Sequence, residues 1–60
     1  MPTEIKMIES DSVTVADDYR AVYDKLLAAA WQEPCEFVEA GDGGHRVTVN
    51  PTYIVYLRAL

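Results

Sequence analysis

Cys35 is the single cysteine in a chain of 60 residues, and this limits the fold more than any other feature of the sequence. A lone thiol forms no disulfide within the chain and cannot build a zinc site from several cysteines. A domain of this size buries only about 60% of the surface that its unfolded chain exposes, so its stability is marginal. Association with a second copy is the remaining source of stability.

The composition indicates one folded domain, which we place at residues 1–60. Half of the residues are hydrophobic and 25% are charged. Disordered chains instead combine low hydrophobicity with high charge. We therefore expect a globular chain with its own core.

Two alternating segments near the start predict a β-hairpin. Residues 4–9 and 12–15 both alternate between apolar and polar side chains, and Ser10 and Asp11 between them are typical turn residues. We expect residues 1–3 to be an exposed lead, because their proline cannot donate a ladder hydrogen bond.

A helix is predicted from Asp18 to Gln32. Asp17 or Asp18 supplies the N-cap oxygen, and Pro34 disfavours helical geometry in the residue before it. Apolar residues spaced by three and four form a stripe that would pack on a sheet: Tyr19, Val22, Tyr23, Leu26 and Ala30.

A second apolar row on this helix contains Tyr23, Leu27 and Trp31, spaced by four residues. It widens the stripe beyond what one small sheet covers. The row is either the periphery of the core or a surface for a partner protein. Because aromatic anchors are common at interfaces, we take it as a candidate partner-binding surface.

Residues 35–40 and 45–49 predict a second hairpin, since the glycine-rich loop at 41–44 supports the positive φ angles of a tight turn. For the apolar residues of both strands to face one core, the loop must hold an odd number of residues or a bulge. The pattern alone leaves the register open by one residue.

The last predicted strand, Tyr53–Arg58, follows a kink or tight turn at Asn50 and Pro51. Residues 53–57 are apolar at every position, which is typical of a strand buried on both faces. The predicted fold is an α+β domain of order ββαβββ, with one helix across an antiparallel sheet of two hairpins and a terminal strand. One helix covers only one face, so we expect a second copy to cover the other, as a homodimer.

The reactive side chains do not form a catalytic pattern. Cys35 and His45 would be a nucleophile and its base, but four residues of strand separate them by roughly 13 Å. His45 with Asp42 offers too few ligands for a specific metal site. Glu36 and Glu39 point to opposite faces of a strand. We therefore expect no enzymatic activity, no metal and no cofactor.

The charge restricts the classes of partner. The formal net charge is −5 at pH 7, which opposes binding to phosphate backbones and to anionic lipid. The apolar runs are far shorter than the about 20 residues needed to span a bilayer, and the start lacks a signal-peptide pattern. We expect a cytoplasmic protein without direct nucleic-acid or membrane contact.

Two other functions fit the sequence besides protein binding. Cationic, amide and aromatic side chains near its end would hold a nucleotide-like anion in a pocket between subunits: Arg46, Asn50, Tyr53, Tyr56 and Arg58. The ten carboxylates would alternatively imitate a phosphate array and occupy a basic nucleic-acid-binding protein.

Residues 46–57 carry a resemblance to known proteins. Val49-Asn50-Pro51, followed by Ile54 and Tyr56, resembles the Val-Asn-Pro-x-x-Ile-x-Tyr stretch of small uncharacterised proteins of actinobacteria and their phages. A similar strand, turn and strand occur in the flagellar FlbD family, where they precede the hairpin and helix instead of following them. The resemblance implies structural roles for these residues and a short accessory protein that acts by binding a host protein. We expect a non-catalytic protein-binding module.

Overall fold

The computed structural model describes residues 1–41 and 43–60. Within these residues one helix and five strands follow in the order ββαβββ, so the predicted α+β class is confirmed. The elements are β1 (Thr3–Met7), β2 (Val13–Val15), α1 (Tyr19–Ala28), β3 (Cys35–Val38), β4 (Arg46–Val49), a 3₁₀ turn (Pro51–Tyr53) and β5 (Ile54–Ala59).

The two hairpins and the terminal strand are divided between two antiparallel sheets. One sheet has the strand order β2-β1-β5, and the other contains β3 beside β4. An isolated bridge between Val15 and Glu39 connects them, supported by a 2.8 Å hydrogen bond from the Ala16 N–H to the Val38 carbonyl. The pairing between β2 and the β3 side does not extend into a longer ladder, because β2 has only three residues and the helix begins four residues after it.

Met1 is 83% exposed, as expected for a lead, but the prediction of an exposed lead is wrong for Thr3. Thr3 is fully buried and belongs to β1, where it lies between Val15 and Ala59. Its hydroxyl donates a 2.9 Å hydrogen bond to the Asp17 carbonyl. This bond satisfies the buried hydroxyl, which allows a polar residue at a core position.

The predicted N-cap of the helix is confirmed. Asp18 accepts a 2.9 Å hydrogen bond from the Ala21 N–H through its side chain. The buried face of α1 is narrower than the predicted stripe, since only Val22 and Leu26 are buried and Tyr19 is 42% exposed. No helix in the described residues is long and apolar enough to cross a membrane.

The helix ends at Ala28 and not at Gln32. Ala30 and Trp31 both have φ of 55°, and their N–H groups donate 3.0 Å hydrogen bonds to carbonyls of the last helical turn. This is a Schellman motif, which normally has glycine in the left-handed position. The sequence has alanine there, so the usual signal for the end of a helix is absent.

The core combines residues from the helix and from both sheets. α1 contributes two residues, the β2-β1-β5 sheet contributes two and the β3-β4 sheet contributes three. These buried apolar residues are Ile5, Val15, Val22, Leu26, Cys35, Phe37 and Val49. The core therefore connects the two sheets through the helix, although in residues 1–41 and 43–60 only one bridge joins their strands.

The register of the second hairpin confirms an odd loop. Cys35 pairs with Val49, and the N–H of Glu39 donates a 2.8 Å hydrogen bond to the His45 carbonyl. This pairing centres the loop on Asp42, which lies outside the described residues. Apolar side chains of both strands consequently face the same core, as the sequence requires.

The predicted kink before the last strand is the 3₁₀ turn. The side-chain carbonyl of Asn50 accepts hydrogen bonds from the Thr52 N–H at 3.2 Å and from the Thr52 hydroxyl at 2.8 Å. Pro51 is buried at the first position of the turn. The Asn side chain thus fixes the bend at which the chain enters β5.

The apolar run of β5 contains a β-bulge. The register against β1 shifts between Lys6 and Met7, which leaves Val55 as the extra residue. Ile54 and Leu57 pack against the core, whereas Val55 is 59% exposed. One chain therefore does not bury both faces of this run. That a second copy covers the exposed face stays a prediction.

Candidate protein-interaction surface

β5 lies at the edge of its sheet. It is hydrogen-bonded to β1 on one side, and no other strand of the described residues pairs with it. An edge strand presents N–H and C=O groups that can pair with another chain. Proteins that avoid such pairing commonly shield the edge with lysine, proline or a covering loop. β5 has no lysine or proline; its one exposed charge is Arg58, whose guanidinium binds Glu4.

Three exposed apolar residues lie near the start of β5, and we call them the apolar corner: Ile8, Tyr53 and Val55. The N–H of Ile8 donates a 2.8 Å hydrogen bond to the Tyr53 carbonyl, so these two residues are adjacent across the sheet. Val55 follows on the bulge. The three side chains are 56%, 56% and 59% exposed. Clustered exposure of this kind marks an interaction site more often than isolated exposed residues do.

An open depression of about 480 Å³ adjoins the apolar corner. Met7, Ile8 and Tyr53 give it an apolar wall, and Glu9 and Ser10 of the β1–β2 turn form its polar part. Glu9 has φ of 54°, which turns the chain sharply at this point. An apolar centre with a polar rim is the usual anatomy of a protein interface.

The outer face of the β2-β1-β5 sheet carries a polar network around Glu4. Its carboxylate accepts a 2.6 Å hydrogen bond from the Ser12 hydroxyl and a 2.8 Å hydrogen bond from Nε of Arg58. The Ser12 bond, followed by the Arg58 bond, lowers the pKa of Glu4 from its ordinary value of 4.5. The same contact with Glu4 raises the pKa of Arg58.

Tyr56 lies beside this network on the same face. It is opposite Lys6 in the β1–β5 ladder, and Cζ of Arg58 lies 5.4 Å from the centre of its ring. This distance is within the range of a cation–π contact. Tyr56 is 40% exposed, so part of its ring remains open to a partner.

The structure brings together two of the three residues in the predicted helical row. The rings of Tyr23 and Trp31 meet edge to face at 5.8 Å, and Tyr19 stacks on Tyr23 at 6.4 Å. Trp31 reaches this position through the left-handed turn after α1, and it packs against the core. Leu27 is 54% exposed. Most of the row therefore belongs to the periphery of the core.

The residues predicted to hold an anion lie in different parts of the fold. Arg46 is in the β3-β4 sheet, 3.4 Å from the carboxylate of Glu36, whereas Arg58 is in the other sheet and binds Glu4. Asn50 uses its side-chain oxygen in the turn before β5. The remaining two members, Tyr53 and Tyr56, belong to the β5 surface.

Cys35 and His45 lie at opposite ends of the second hairpin, as predicted. Cys35 is buried, with its Sγ 3.6 Å from the Glu33 carbonyl, and it pairs with Val49 in the ladder. His45 is exposed beyond the Arg46 end. Within residues 1–41 and 43–60, no three His, Cys, Asp or Glu side chains are grouped to hold a metal ion.

Sequence reasoning missed Ile8 and Val55 as surface residues. Ile8 directly follows Met7, and two adjacent apolar residues at the end of an alternating strand were a usable signal that one points outward. Val55 gave no such signal, because the bulge depends on the pairing with β1.

In comparisons with protein-family models, curated proteins and solved structures, nothing matches this chain.

Proposed function

We propose that the chain is a non-catalytic protein-binding module that takes another protein chain at β5. The observation that carries the proposal is the apolar corner, Ile8, Tyr53 and Val55, near the start of an edge strand whose far side is unpaired in the described residues. The corner supplies apolar area, and the edge supplies backbone donors and acceptors. Strand addition to a sheet edge uses this combination.

The β5 surface fits this role better than the aromatic cluster on the helix. In that cluster the Tyr23 and Trp31 rings contact each other, and Trp31 is anchored on the core. The exposed side chains there are Leu27 and Tyr19, and the Tyr19 ring stacks on Tyr23. Such residues are ordinary on a protein surface, whereas exposed apolar residues on an unpaired edge strand come with open backbone donors and acceptors.

The anion-binding alternative has less support from the contacts. Each of its two arginines already has a carboxylate partner, Glu36 for Arg46 and Glu4 for Arg58. A phosphate would have to displace these carboxylates. The two arginines also belong to different sheets. We therefore rank protein binding first and expect the target of this accessory module to be a bacterial protein, including a further copy of the chain.

Photo-crosslinking in bacterial cells tests the proposal. A photoreactive amino acid replaces Val55 in one variant and Leu27 in the other; the two side chains are 59% and 54% exposed, so the positions are matched. Discrete protein adducts should form from position 55 and not from position 27. Adding Tyr53→Ala to the first variant should weaken the adduct about tenfold if Tyr53 is a hot spot. The same adduct pattern at both positions, or none at position 55, would contradict the proposal.

A further inference from the structure

The hydrogen bonds between β1 and β5 determine which backbone groups of β5 point to its open edge. The N–H of Leu60 donates a 3.1 Å hydrogen bond to the Pro2 carbonyl, and the antiparallel ladder alternates from that pair. Every second residue before Leu60 therefore bonds to β1. The N–H and C=O groups of Leu57 and Ala59 lie between those residues and point away from β1.

Two-fold symmetry is the commonest arrangement of identical chains, and it makes two copies of one edge strand antiparallel. Three registers pair the open groups of Leu57 and Ala59 with each other. Pairing Ala59 with Ala59 of the second copy uses only the end of the strand. Pairing Leu57 with Ala59 of the second copy places Arg58 opposite Arg58 of the second copy, and directly opposed like charges destabilise a sheet.

The third register pairs more of the strand and places no like charges opposite each other. With Leu57 opposite Leu57 of the second copy, Tyr56 faces Arg58 of the second copy, and the same contact repeats across the axis. Arg58 already lies 5.4 Å from the ring of its own Tyr56, and its side chain is 60% exposed. The guanidinium held by Glu4 therefore has room for a second aromatic ring. The bulge residue Val55 lies opposite Ala59 of the second copy at each end of the new ladder. Its carbonyl belongs to the same peptide as the Tyr56 N–H, which points to β1, so this carbonyl points to the open edge and faces the Ala59 N–H.

We propose, on the basis of the protein-binding function above, that β5 pairs with β5 of a second copy about a two-fold axis at Leu57. The two three-stranded sheets become one continuous sheet. Tyr56 of each chain packs on Arg58 of the other. The apolar corner of each chain lies at the end of the strand, beside this junction.

The net charge gives the dimer a characteristic response to salt. Each chain carries a formal charge of −5, so two copies repel each other at long range. Added salt screens that repulsion and strengthens the dimer. An acidic chain that binds a basic partner shows the opposite response, because salt screens the attraction. The sign of the salt effect thus separates these two modes of binding.

Sedimentation and NMR of the purified chain test the register directly. From about 10 μM to about 1 mM the chain should shift from monomer to dimer, and more so in added salt. In the dimer, Hα of Tyr56 should show a nuclear Overhauser effect to Hα of Arg58. These protons are two residues apart, roughly 6.6 Å, on one strand, so the signal arises only between chains. A monomer at every concentration, or a dimer without this signal, would overturn the inference.

A matched pair of variants separates the local contact from net charge. In Tyr56→Glu, the new carboxylate lies opposite the oppositely charged Arg58 of the second copy, so this variant should still form the dimer. Tyr56→Lys faces it with a like charge and should weaken the dimer about tenfold or more. If net charge alone controlled dimerisation, Tyr56→Lys would form the stronger dimer, since Tyr56→Glu makes the chain more negative. That reverse order would overturn the inference.

Thermal unfolding must accompany these variants, because position 56 also lies opposite Lys6 within the chain. Should Tyr56→Lys fail to fold, Ala59→Pro replaces it. This variant removes an N–H that points to the open edge while leaving the bonds to β1 intact, and it should also weaken the dimer. An unchanged dimer in Ala59→Pro would contradict the proposed ladder. If the chain stays monomeric while position 55 crosslinks to other proteins, this inference fails and the proposed function stands.

Discussion

Two exposed aromatic regions of this small domain differ in what lies beneath them. On α1 and the turn after it, the Tyr23 ring contacts the rings of both Tyr19 and Trp31, and Trp31 packs against the core. At β5, Tyr53 and its apolar neighbours sit beside a strand edge with open backbone groups. Both regions look similar in the sequence. Only the β5 region combines exposed apolar area with backbone N–H and C=O groups that are open to pairing.

The comparison shows that aromatic spacing alone is a weak sign of a binding surface. Tyr23, Leu27 and Trp31 are spaced by four residues, yet the helix ends before Trp31 and the ring returns to the core through a left-handed turn. The aromatic residues there mainly stabilise the fold. Those at β5 are expected to contribute little to stability and much to recognition.

The largest expected effect tests this division of roles. Trp31→Ala should lower the free energy of unfolding by about 2 kcal/mol, because a partly buried ring that packs on the core is lost. Tyr53→Ala should change it by less than about 0.5 kcal/mol, because Tyr53 is largely exposed. Urea denaturation followed by circular dichroism measures both. Equal losses in the two variants would remove the distinction between the regions.

A smaller effect sharpens the account of the helix end. Ala30→Gly should stabilise the protein by about 1 kcal/mol, because alanine is strained at a φ of 55° and glycine is not. Ala28→Gly is the matched control at the last residue of α1, where the backbone is right-handed and glycine should destabilise by up to about 1 kcal/mol. Thermal unfolding of both variants checks the signs. A loss of stability in Ala30→Gly would mean that the helix does not end in this way.

The smallest effect concerns the outer face of the β5 sheet. The folded chain lowers the pKa of Glu4, so its carboxylate contributes stability above about pH 4.5 and loses that contribution as the pH falls through the folded value. Glu4→Gln should therefore be less stable than the parent chain at pH 7, with the difference disappearing on acidification.

Ser12→Ala refines the same measurement, since the Ser12 hydroxyl is the largest cause of the lowered pKa. The acid-induced loss of stability should move toward pH 4.5 in this variant. Urea denaturation across the acid range records the shift. A pH dependence identical to that of the parent chain would show that the Ser12 bond does not hold Glu4.

Local chemistry made much of the fold predictable. The Asp18 cap, the odd loop of the second hairpin and the bend at Asn50 each depend on residues close in sequence, and all three are confirmed. The strand and helix order followed from hydrophobic periodicity. These features need no knowledge of the tertiary structure.

The features that were missed depend on distant parts of the chain. The bulge at Val55 arises from the pairing of β5 with β1, and the contact between Glu4 and Arg58 joins residues 54 positions apart. Thr3 is buried because β1 lies between β2 and β5, and the distant Asp17 carbonyl accepts a hydrogen bond from its hydroxyl. The sequence shows the apolar run of the last strand, but which of its side chains are exposed depends on the pairing with β1 and could not be predicted.

Amide hydrogen exchange measured against protein concentration tests the central claim, that two copies of the chain pair through the open edge of β5. We predict that exchange at Leu57 and Ala59 slows about tenfold or more between about 10 μM and about 1 mM, as their N–H groups become bonded between chains. The Glu4 amide, which faces β5 within the chain, serves as the internal reference. Exchange at Leu57 and Ala59 that stays the same at every concentration would contradict the account.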